Sequence, residues 1–169
     1  LRLKRRLMKT LFARGQAQDQ QMALEILTAL EERLPQDPEL MKLRALQMLQ
    51  QPTPESLKTA RAKLENAIRL EPTAVDAHLV LTRIAMQERQ YEAARDYAIR
   101  ALGSNPDNPA LLSARAGAEL LLENTQMAAQ LAQMALQKDP NNTQARDVLV
   151  ATALQSKDPG LLEQARTLT

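Results

Sequence analysis

The sequence predicts an all-α fold of about ten helices arranged as five antiparallel hairpins. The first observation is an interval of 34 residues, which separates Pro72, Pro106 and Pro140. The same interval separates three alanine pairs: Ala94 and Ala128, Ala98 and Ala132, and Ala101 and Ala135. The second observation is that apolar residues recur every three or four positions, which indicates amphipathic helices. Helical patterning with this period predicts stacked helix pairs, because one pair cannot bury its apolar face alone.

Turn and cap residues divide the chain into individual helices. Leu3, Leu7 and Leu11 share one face of a first helix, which ends at Gly15. A capping side chain followed by proline, as at 37–38 and 53–54, is a strong signal for a helix start. The predicted helices span residues 1–14, 19–33, 39–51, 56–70, 74–88, 91–102, 109–122, 125–138, 143–155 and 161–169.

Turn and cap residues also mark the helix ends in the second half of the chain. Asn108 and Pro109 repeat the signal of a cap followed by proline. Gly103 follows a predicted helix and suits a left-handed C-terminal cap. Residues 158–160 predict an extended turn like the one at 51–55.

Small residues at equivalent positions of the five hairpins give the chain its family resemblance. Alanine stands where the second helix would cross the first: Ala23, Ala60, Ala94, Ala128 and Ala165. Small side chains at such sites let helix axes approach closely. This pattern resembles the tetratricopeptide repeat (TPR) family, although His78 and Glu119 stand where that family usually has large aromatic residues.

The resemblance covers nearly the whole chain and implies a TPR-like α-solenoid coiled into a right-handed superhelix. It implies a single domain, residues 1–169, in which the last hairpin is incomplete. The hairpin units span approximately 4–37, 38–74, 75–108, 109–142 and 143–169.

The composition argues against catalysis and against a metal or cofactor. The sequence has one histidine, His78, and no cysteine, which removes most nucleophile–base pairs and most zinc sites. Its four scattered glycines form no phosphate-binding loop. The many carboxylates stand at helical spacing from basic residues and indicate surface ion pairs. We therefore expect a non-enzymatic protein without a cofactor, in which His78 is structural.

The resemblance also implies a binding surface, because the first helix of each TPR hairpin lines a concave groove. Transferring the groove positions gives a mixture of apolar and charged residues: Glu39, Lys42, Leu46, Leu49, Asp76, Leu79, Arg83, Met86, Ser113, Gly117, Leu120, Leu121 and Asp147. The leucines and methionine suit an apolar segment of a partner helix or peptide. The alternative is that some of them belong to the core between helices, where such residues are usually buried.

Two groove positions have further consequences. A glycine inside a helix, such as Gly117, indicates either the close approach of another helix or of a ligand backbone, or a tolerated defect on an exposed face. Carboxylate-clamp TPRs, which hold acidic chaperone tails, need a lysine followed one turn later by asparagine. Here Lys42 is followed by Leu46, so a chaperone-tail receptor is not expected.

The first fourteen residues are strongly basic and contain no acid. The rest of the chain has 16 basic and 20 acidic residues, which does not support nucleic-acid binding by the whole domain. Three interpretations remain open: the flank of an upstream transmembrane helix, an amphipathic helix on anionic lipid, or the polar face of a capping helix. The cations that would lie near lipid are Arg2, Lys4, Arg5, Arg6 and Lys9. The chain begins at Leu1 rather than at methionine, which favours a preceding segment.

Together these features favour a scaffold that binds a segment of another protein. The degenerate, glutamine- and alanine-rich repeats look like those of bacterial envelope-assembly proteins, for example in polysaccharide export or secretion. The location expected from this analogy is the cytoplasmic face of the inner membrane, with the periplasm as the alternative. A different function is structural self-association through an apolar edge left by the last helix, 161–169. The sequence leaves the oligomeric state open.

Overall fold

The fold is all-α throughout the part of the chain that the structure describes. In this computed structural model the described residues are 2–168, and the side chains of Arg2, Arg5 and Leu168 lie outside the description. The helices of residues 2–168 are α1 (Arg2–Arg14), α2 (Ala17–Arg33), α3 (Pro38–Met48), α4 (Pro54–Leu70), α5 (Val75–Gln87), α6 (Tyr91–Ser104), α7 (Pro109–Leu121), α8 (Thr125–Lys138), α9 (Thr143–Ser156) and α10 (Pro159–Leu168). The predicted fold class and helix number are confirmed.

Capping side chains begin several of these helices, as the sequence predicts. The Asp37 Oδ1 atom accepts hydrogen bonds of 3.1 Å from the backbone N–H groups of Glu39 and Leu40. At the start of α4, the Thr53 and Ser56 side chains form a reciprocal capping box. These contacts satisfy N–H groups that have no partner within the helix, and the proline that follows each cap has no N–H to satisfy.

Several helix boundaries differ from the sequence prediction by one to three residues. Helix α2 begins at Ala17, so Asp19 lies in its first turn, where a carboxylate interacts favourably with the helix dipole. Helix α3 ends at Met48, before the predicted end at Gln51. Gly103 is inside α6, which continues to Ser104. Pro159 starts α10, so residues 158–160 are a cap and a first turn rather than an extended turn.

Left-handed backbone recurs with the same period as the sequence. Arg89, Glu123 and Lys157 have φ angles of 58°, 63° and 56°, and each is 34 positions from the next. The first two lie in the turn between the two helices of a hairpin, and Lys157 ends α9. The structural repeat therefore extends into the fifth hairpin, where the sequence repeat is weak.

The first compact unit, Leu1–Glu71, contains two hairpins. Helices α1 and α2 pair, α3 and α4 pair, and α2 packs against α3. Its buried apolar cluster consists of Met8, Leu11, Ala23, Leu27, Leu30 and Leu40. An ion pair of 2.6 Å between Arg44 Nη2 and Glu31 Oε2 also joins α3 to α2.

The second compact unit, Pro72–Thr169, contains three hairpins. Its central element is α7, which packs against α5, α6, α8 and α9. The main cluster comes from α7, α8 and α9: Leu112, Ala116, Ala128, Ala129, Leu131, Ala132, Ala135, Ala145, Val148 and Leu149. The prediction that residues 1–169 form one domain stays a prediction.

The alanine column that defines the hairpins is buried in both units. Ala23, Ala60, Ala94 and Ala128 have no exposed surface, and Ala165 is 7% exposed. A larger side chain at these positions would overlap a neighbouring helix. Burial at all five positions supports the alignment of the hairpins.

Candidate functional site

The first helices of the three hairpins in the second unit, α5, α7 and α9, present the candidate binding surface. We call their described outer residues the first-helix face: Asp76, Leu79, Arg83, Met86, Leu120, Leu121, Asp147 and Leu154. Asp76, Arg83 and Asp147 are exposed, and no ion pair engages them within residues 2–168. Leu79, Met86 and Leu120 are half-buried, and Leu121 is 44% exposed. This face therefore combines accessible apolar surface with charges of both signs.

Leu154 belongs to this surface, although the sequence-based groove set omits it. Its side chain is 66% exposed, the highest value among the large apolar side chains that the structure describes in the second unit. It follows Met86 and Leu120 at intervals of 34 residues, so the three occupy the same position on α5, α7 and α9. The 34-residue interval is the signal in the sequence that identifies Leu154. These residues form an apolar row across three successive hairpins.

Two predicted groove residues are in the interior instead. Ser113 is 1% exposed, and its Oγ lies 3.1 Å from the Ala110 carbonyl oxygen and 3.4 Å from Gln144 Oε1. Gly117 is also buried. A Cβ atom at Gly117 would meet Met86 Cε of α5 at 3.3 Å and Val148 Cγ2 of α9 at 3.9 Å. Neither Ser113 nor Gly117 offers a side chain to a partner, because neighbouring first helices cover them.

The close approach at Gly117 allows alanine but not a larger side chain. We expect Gly117→Ala to raise the free energy of unfolding slightly, by up to about 0.5–1 kcal/mol, through better helix propensity. The atom that must yield is the end of the flexible Met86 side chain. Gly117→Val should instead lower stability by about 1–3 kcal/mol, because its extra methyl groups overpack the junction. Thermal melts of both variants check this, and equal melting temperatures for them would contradict it.

Asn142 joins two successive hairpins close to Ser113. Its Oδ1 accepts a hydrogen bond of 2.9 Å from the Ala145 N–H and caps α9. Its Nδ2 donates to the Pro109 carbonyl oxygen at 3.2 Å, across the junction to α7. One side chain thus starts α9 and fixes it against α7.

The predicted groove residues of the first unit are largely engaged inside that unit. Glu39 is half-buried and forms an ion pair with Lys9. Lys42 is half-buried, and its Nζ lies 3.7 Å from Glu71 Oε2. Of the two leucines, Leu46 is 39% exposed and Leu49 is half-buried. The second unit therefore has the more accessible candidate surface.

His78 has a structural environment. It is 2% exposed, and its Nε2–H donates to the Pro72 carbonyl oxygen at 3.0 Å. Its Nδ1 atom is buried without a hydrogen-bond partner in the described part of the chain. Burial lowers the pKa of His78, and the positive charge of Arg100 lowers it further. The neutral imidazole is therefore the form that fits the folded state.

Acidification should destabilise the protein through His78. Because the pKa is lowered in the folded state, the unfolded chain binds the proton more readily, and stability falls as the pH drops below about 6.5 toward the folded-state value. We expect the melting temperature of the wild type to decrease more than that of His78→Gln over this window. Melting curves of both proteins from about pH 8 to about pH 5 check this. Parallel curves would contradict it.

Glu119 is a buried carboxylate that the sequence does not distinguish from the surface pairs. It is 4% exposed. Its Oε2 accepts from Asn124 Nδ2 at 2.8 Å, and its Oε1 lies 3.4 Å from Arg115 Nε. These contacts tie α7 to the turn before α8, so the carboxylate is structural.

Neither a metal centre nor a membrane span is found in the described residues. Within residues 2–168, no three His, Cys, Asp or Glu side chains gather where they would hold a metal ion. In the same residues, each helix is too short or too polar to cross a bilayer.

Comparisons with known proteins agree on the fold. Residues 55–118 match the family model of the tetratricopeptide repeat. The structure of MamA from Desulfovibrio magneticus RS-1 superposes with a TM-score of 0.78 at 16% identity, over 98% of this chain and 90% of MamA. A tetratricopeptide repeat protein from Parabacteroides merdae superposes with a TM-score of 0.75 at 16% identity, over 98% of this chain and 63% of that protein.

A third structure is that of YrrB, which is described as a TPR protein with an unusual peptide-binding site. Its TM-score is 0.67 at 22% identity, over 84% of this chain and 70% of YrrB. None of the curated proteins matches the chain. At these identities the structural likeness shows the fold, and the first-helix face must be interpreted from its own residues.

Proposed function

We propose, from the premise that this chain is a tetratricopeptide repeat protein, that it is a non-enzymatic scaffold whose first-helix face binds a segment of another protein. The observation that carries the proposal is the row formed by Met86, Leu120 and Leu154, one residue from each of three hairpins. The peptide-binding site for which YrrB is described supports the same use of the fold.

The chemistry of the face indicates the kind of segment that it binds. Apolar side chains of the partner would cover Met86, Leu120 and Leu154, and methionine adapts to partners of irregular shape. Exposed Arg83 and Asp147 lie on the first and third of these helices and would each favour an opposite charge on the partner. A segment with apolar residues and flanking charges of both signs fits this arrangement.

Quantitative pull-downs test the proposal with two variants of the face. We expect Leu154→Glu and Arg83→Glu each to reduce recovery of the same partner at least about tenfold. Leu154→Glu would place a carboxylate against the apolar part of the partner, and Arg83→Glu would reverse the charge that favours an acidic residue of the partner. Both side chains are exposed, so the variants should fold.

Two variants on second helices are the matched controls. Met134→Glu adds a charge at an exposed apolar residue of α8, and Arg100→Glu reverses an exposed charge of α6. Partners retained by these controls and lost with both face variants would support the proposal. Equal recovery by all four variants and the wild type would defeat it.

We place this scaffold in a bacterial membrane-associated assembly, such as one for polysaccharide export, at the cytoplasmic face of the inner membrane. The support is the analogy of the repeats and the basic first helix, α1. Fractionation of cells, with protease added to intact and opened spheroplasts, tests it. Protection only in intact spheroplasts supports the cytoplasmic side, digestion in both supports the periplasmic alternative, and recovery in the soluble fraction alone opposes membrane association.

The alternative function is structural self-association. Exposed apolar side chains on second helices favour it, since Ile99, Met127 and Met134 are 40–42% exposed. The predicted apolar edge on α10 is smaller, because Leu161 packs against the core of α7, α8 and α9. The Leu168 side chain lies outside the described residues. Light scattering separates the two functions, because a monomer at all concentrations argues against self-association.

A further inference from the structure

Helix α1 has one apolar stripe, and only the part of it around Met8 and Leu11 is packed. Met8 and Leu11 are 0% and 5% exposed and join the core of the first unit. Leu3 and Leu7 are 82% and 49% exposed. Because they are four residues apart, Leu3 and Leu7 lie together on the helix surface. A helix that only capped the fold would keep its exposed surface polar, so the exposed leucines at the start of this stripe need an explanation.

Exposed cations border the Leu3–Leu7 strip on both sides. At about 100° per residue, Lys4 lies about 60° from Leu7 on one side, and Arg6 lies about 60° from Leu3 on the other. Both side chains are exposed, and neither has an ion-pair partner among the described residues. Helix α1 itself contains no acid.

The other cations of α1 differ in their surroundings. Lys9 forms an ion pair with Glu39, and Arg14 Nη1 lies 4.0 Å from Asp19 Oδ2. The Arg2 and Arg5 side chains lie outside the described residues. The surface that the structure defines is therefore Leu3, Lys4, Arg6 and Leu7, which we call the α1 outer patch.

We propose that the α1 outer patch binds the surface of an anionic lipid bilayer, with Leu3 and Leu7 inserted between headgroups and Lys4 and Arg6 on lipid phosphates. The two leucines provide apolar surface for the acyl boundary, and the cations complement the negative potential of the leaflet. The patch supplies the membrane contact of the proposed function, but it is independent of the first-helix face.

Other occupants fit the α1 outer patch less well. A second copy of the patch would place like charges opposite one another, which opposes association. Nucleic acid would contact the cations but gain nothing from the exposed leucines, because its affinity comes from phosphate neutralisation. An acidic protein surface remains as the competing outcome that the experiment must separate.

Vesicle flotation of the whole chain tests the proposal. We expect binding to phosphatidylcholine vesicles that contain about 30% phosphatidylglycerol, no binding to pure phosphatidylcholine, and release at about 500 mM salt. Lys4→Gln/Arg6→Gln should weaken the partition coefficient about 30-fold. Leu3→Gln/Leu7→Gln should weaken it about tenfold, because the apolar insertion is lost while the charge is kept.

Matched variants elsewhere control for net charge and for exposed leucine. Arg33→Gln/Lys58→Gln removes two exposed cations of the same unit, and Leu70→Gln removes an exposed leucine of that unit. Both variants should bind vesicles within about twofold of the wild type, because the changed side chains lie away from the patch and salt screens distant charges. Loss of binding by the Arg33 and Lys58 variant equal to that of the Lys4 and Arg6 variant would overturn the proposal.

Two further results would also overturn it. One is no vesicle binding by the wild type. The other is tight binding to polyglutamate that does not depend on Leu3 and Leu7, which would assign the patch to an acidic protein surface. Partner recovery in the pull-downs is measured separately, so failure of the lipid contact and failure of the first-helix face are distinguishable.

Discussion

Ala128→Phe should lower the melting temperature of the protein by about 5–10 °C, which corresponds to about 2–3 kcal/mol for a chain of this size. Ala128 has no exposed surface and lies in the cluster formed by α7, α8 and α9. It occupies the crossing of the two helices of a hairpin, where a phenyl ring would force the helices apart. Differential scanning calorimetry measures the shift.

The neighbouring position provides the control for Ala128→Phe. Met127 is 40% exposed on the same helix, so Met127→Phe should leave the melting temperature within about 2 °C. A melting curve of Ala128→Phe that is unchanged from the wild type would mean that this alanine is not at a close crossing, and the alignment of the hairpins would have to be revised.

Asn142→Ala should destabilise the protein by about 2–3 kcal/mol, because it removes two functions of one side chain. Loss of the cap on α9 accounts for about 1–2 kcal/mol. Loss of the hydrogen bond to the Pro109 carbonyl oxygen adds about 1 kcal/mol and leaves a part-buried acceptor without this donor. Urea unfolding, followed by circular dichroism, measures the loss.

Replacement by aspartate separates the two functions of Asn142. Asn142→Asp keeps the oxygen that accepts from the Ala145 N–H but removes the donor to Pro109, so it should lose only about 1 kcal/mol. Asn108→Asp is the control, because Asn108 caps α7 through its Oδ1 and aspartate caps about equally well. Equal stability of Asn142→Asp and the wild type would show that the bond across the junction contributes nothing.

The helices and their pairing were determined by the sequence alone, because the signals are local. Caps such as Asp37 and Thr53 satisfy N–H groups two or three residues away, and a proline after the cap reinforces the start. The alanine column predicted the helix crossings because an interval of 34 residues brings equivalent positions together in every hairpin. Burial of Ala128 and its four equivalents agrees with that alignment.

Several local signals were outweighed by the helices around them. Gly103 suits a left-handed cap, but α6 continues through it to Ser104. Left-handed backbone occurs at Gly15, just after α1 as the sequence predicts, and also at Arg89, Glu123 and Lys157, none of which is glycine. Tertiary packing fixes where each helix must turn, so a residue of ordinary preference accepts the strained conformation at that point.

The accessible part of the candidate site depended on the tertiary structure. Ser113 and Gly117 share helix positions with exposed Asp147 and Arg83 in neighbouring hairpins, yet both are buried. The cause is long-range: Met86 and Val148, from the helices on either side of α7, cover Gly117. Likewise, α1 shows an amphipathic pattern in the sequence, but only the structure separates packed Met8 from exposed Leu3. A helical period states which residues share a face, whereas burial depends on what packs against that face.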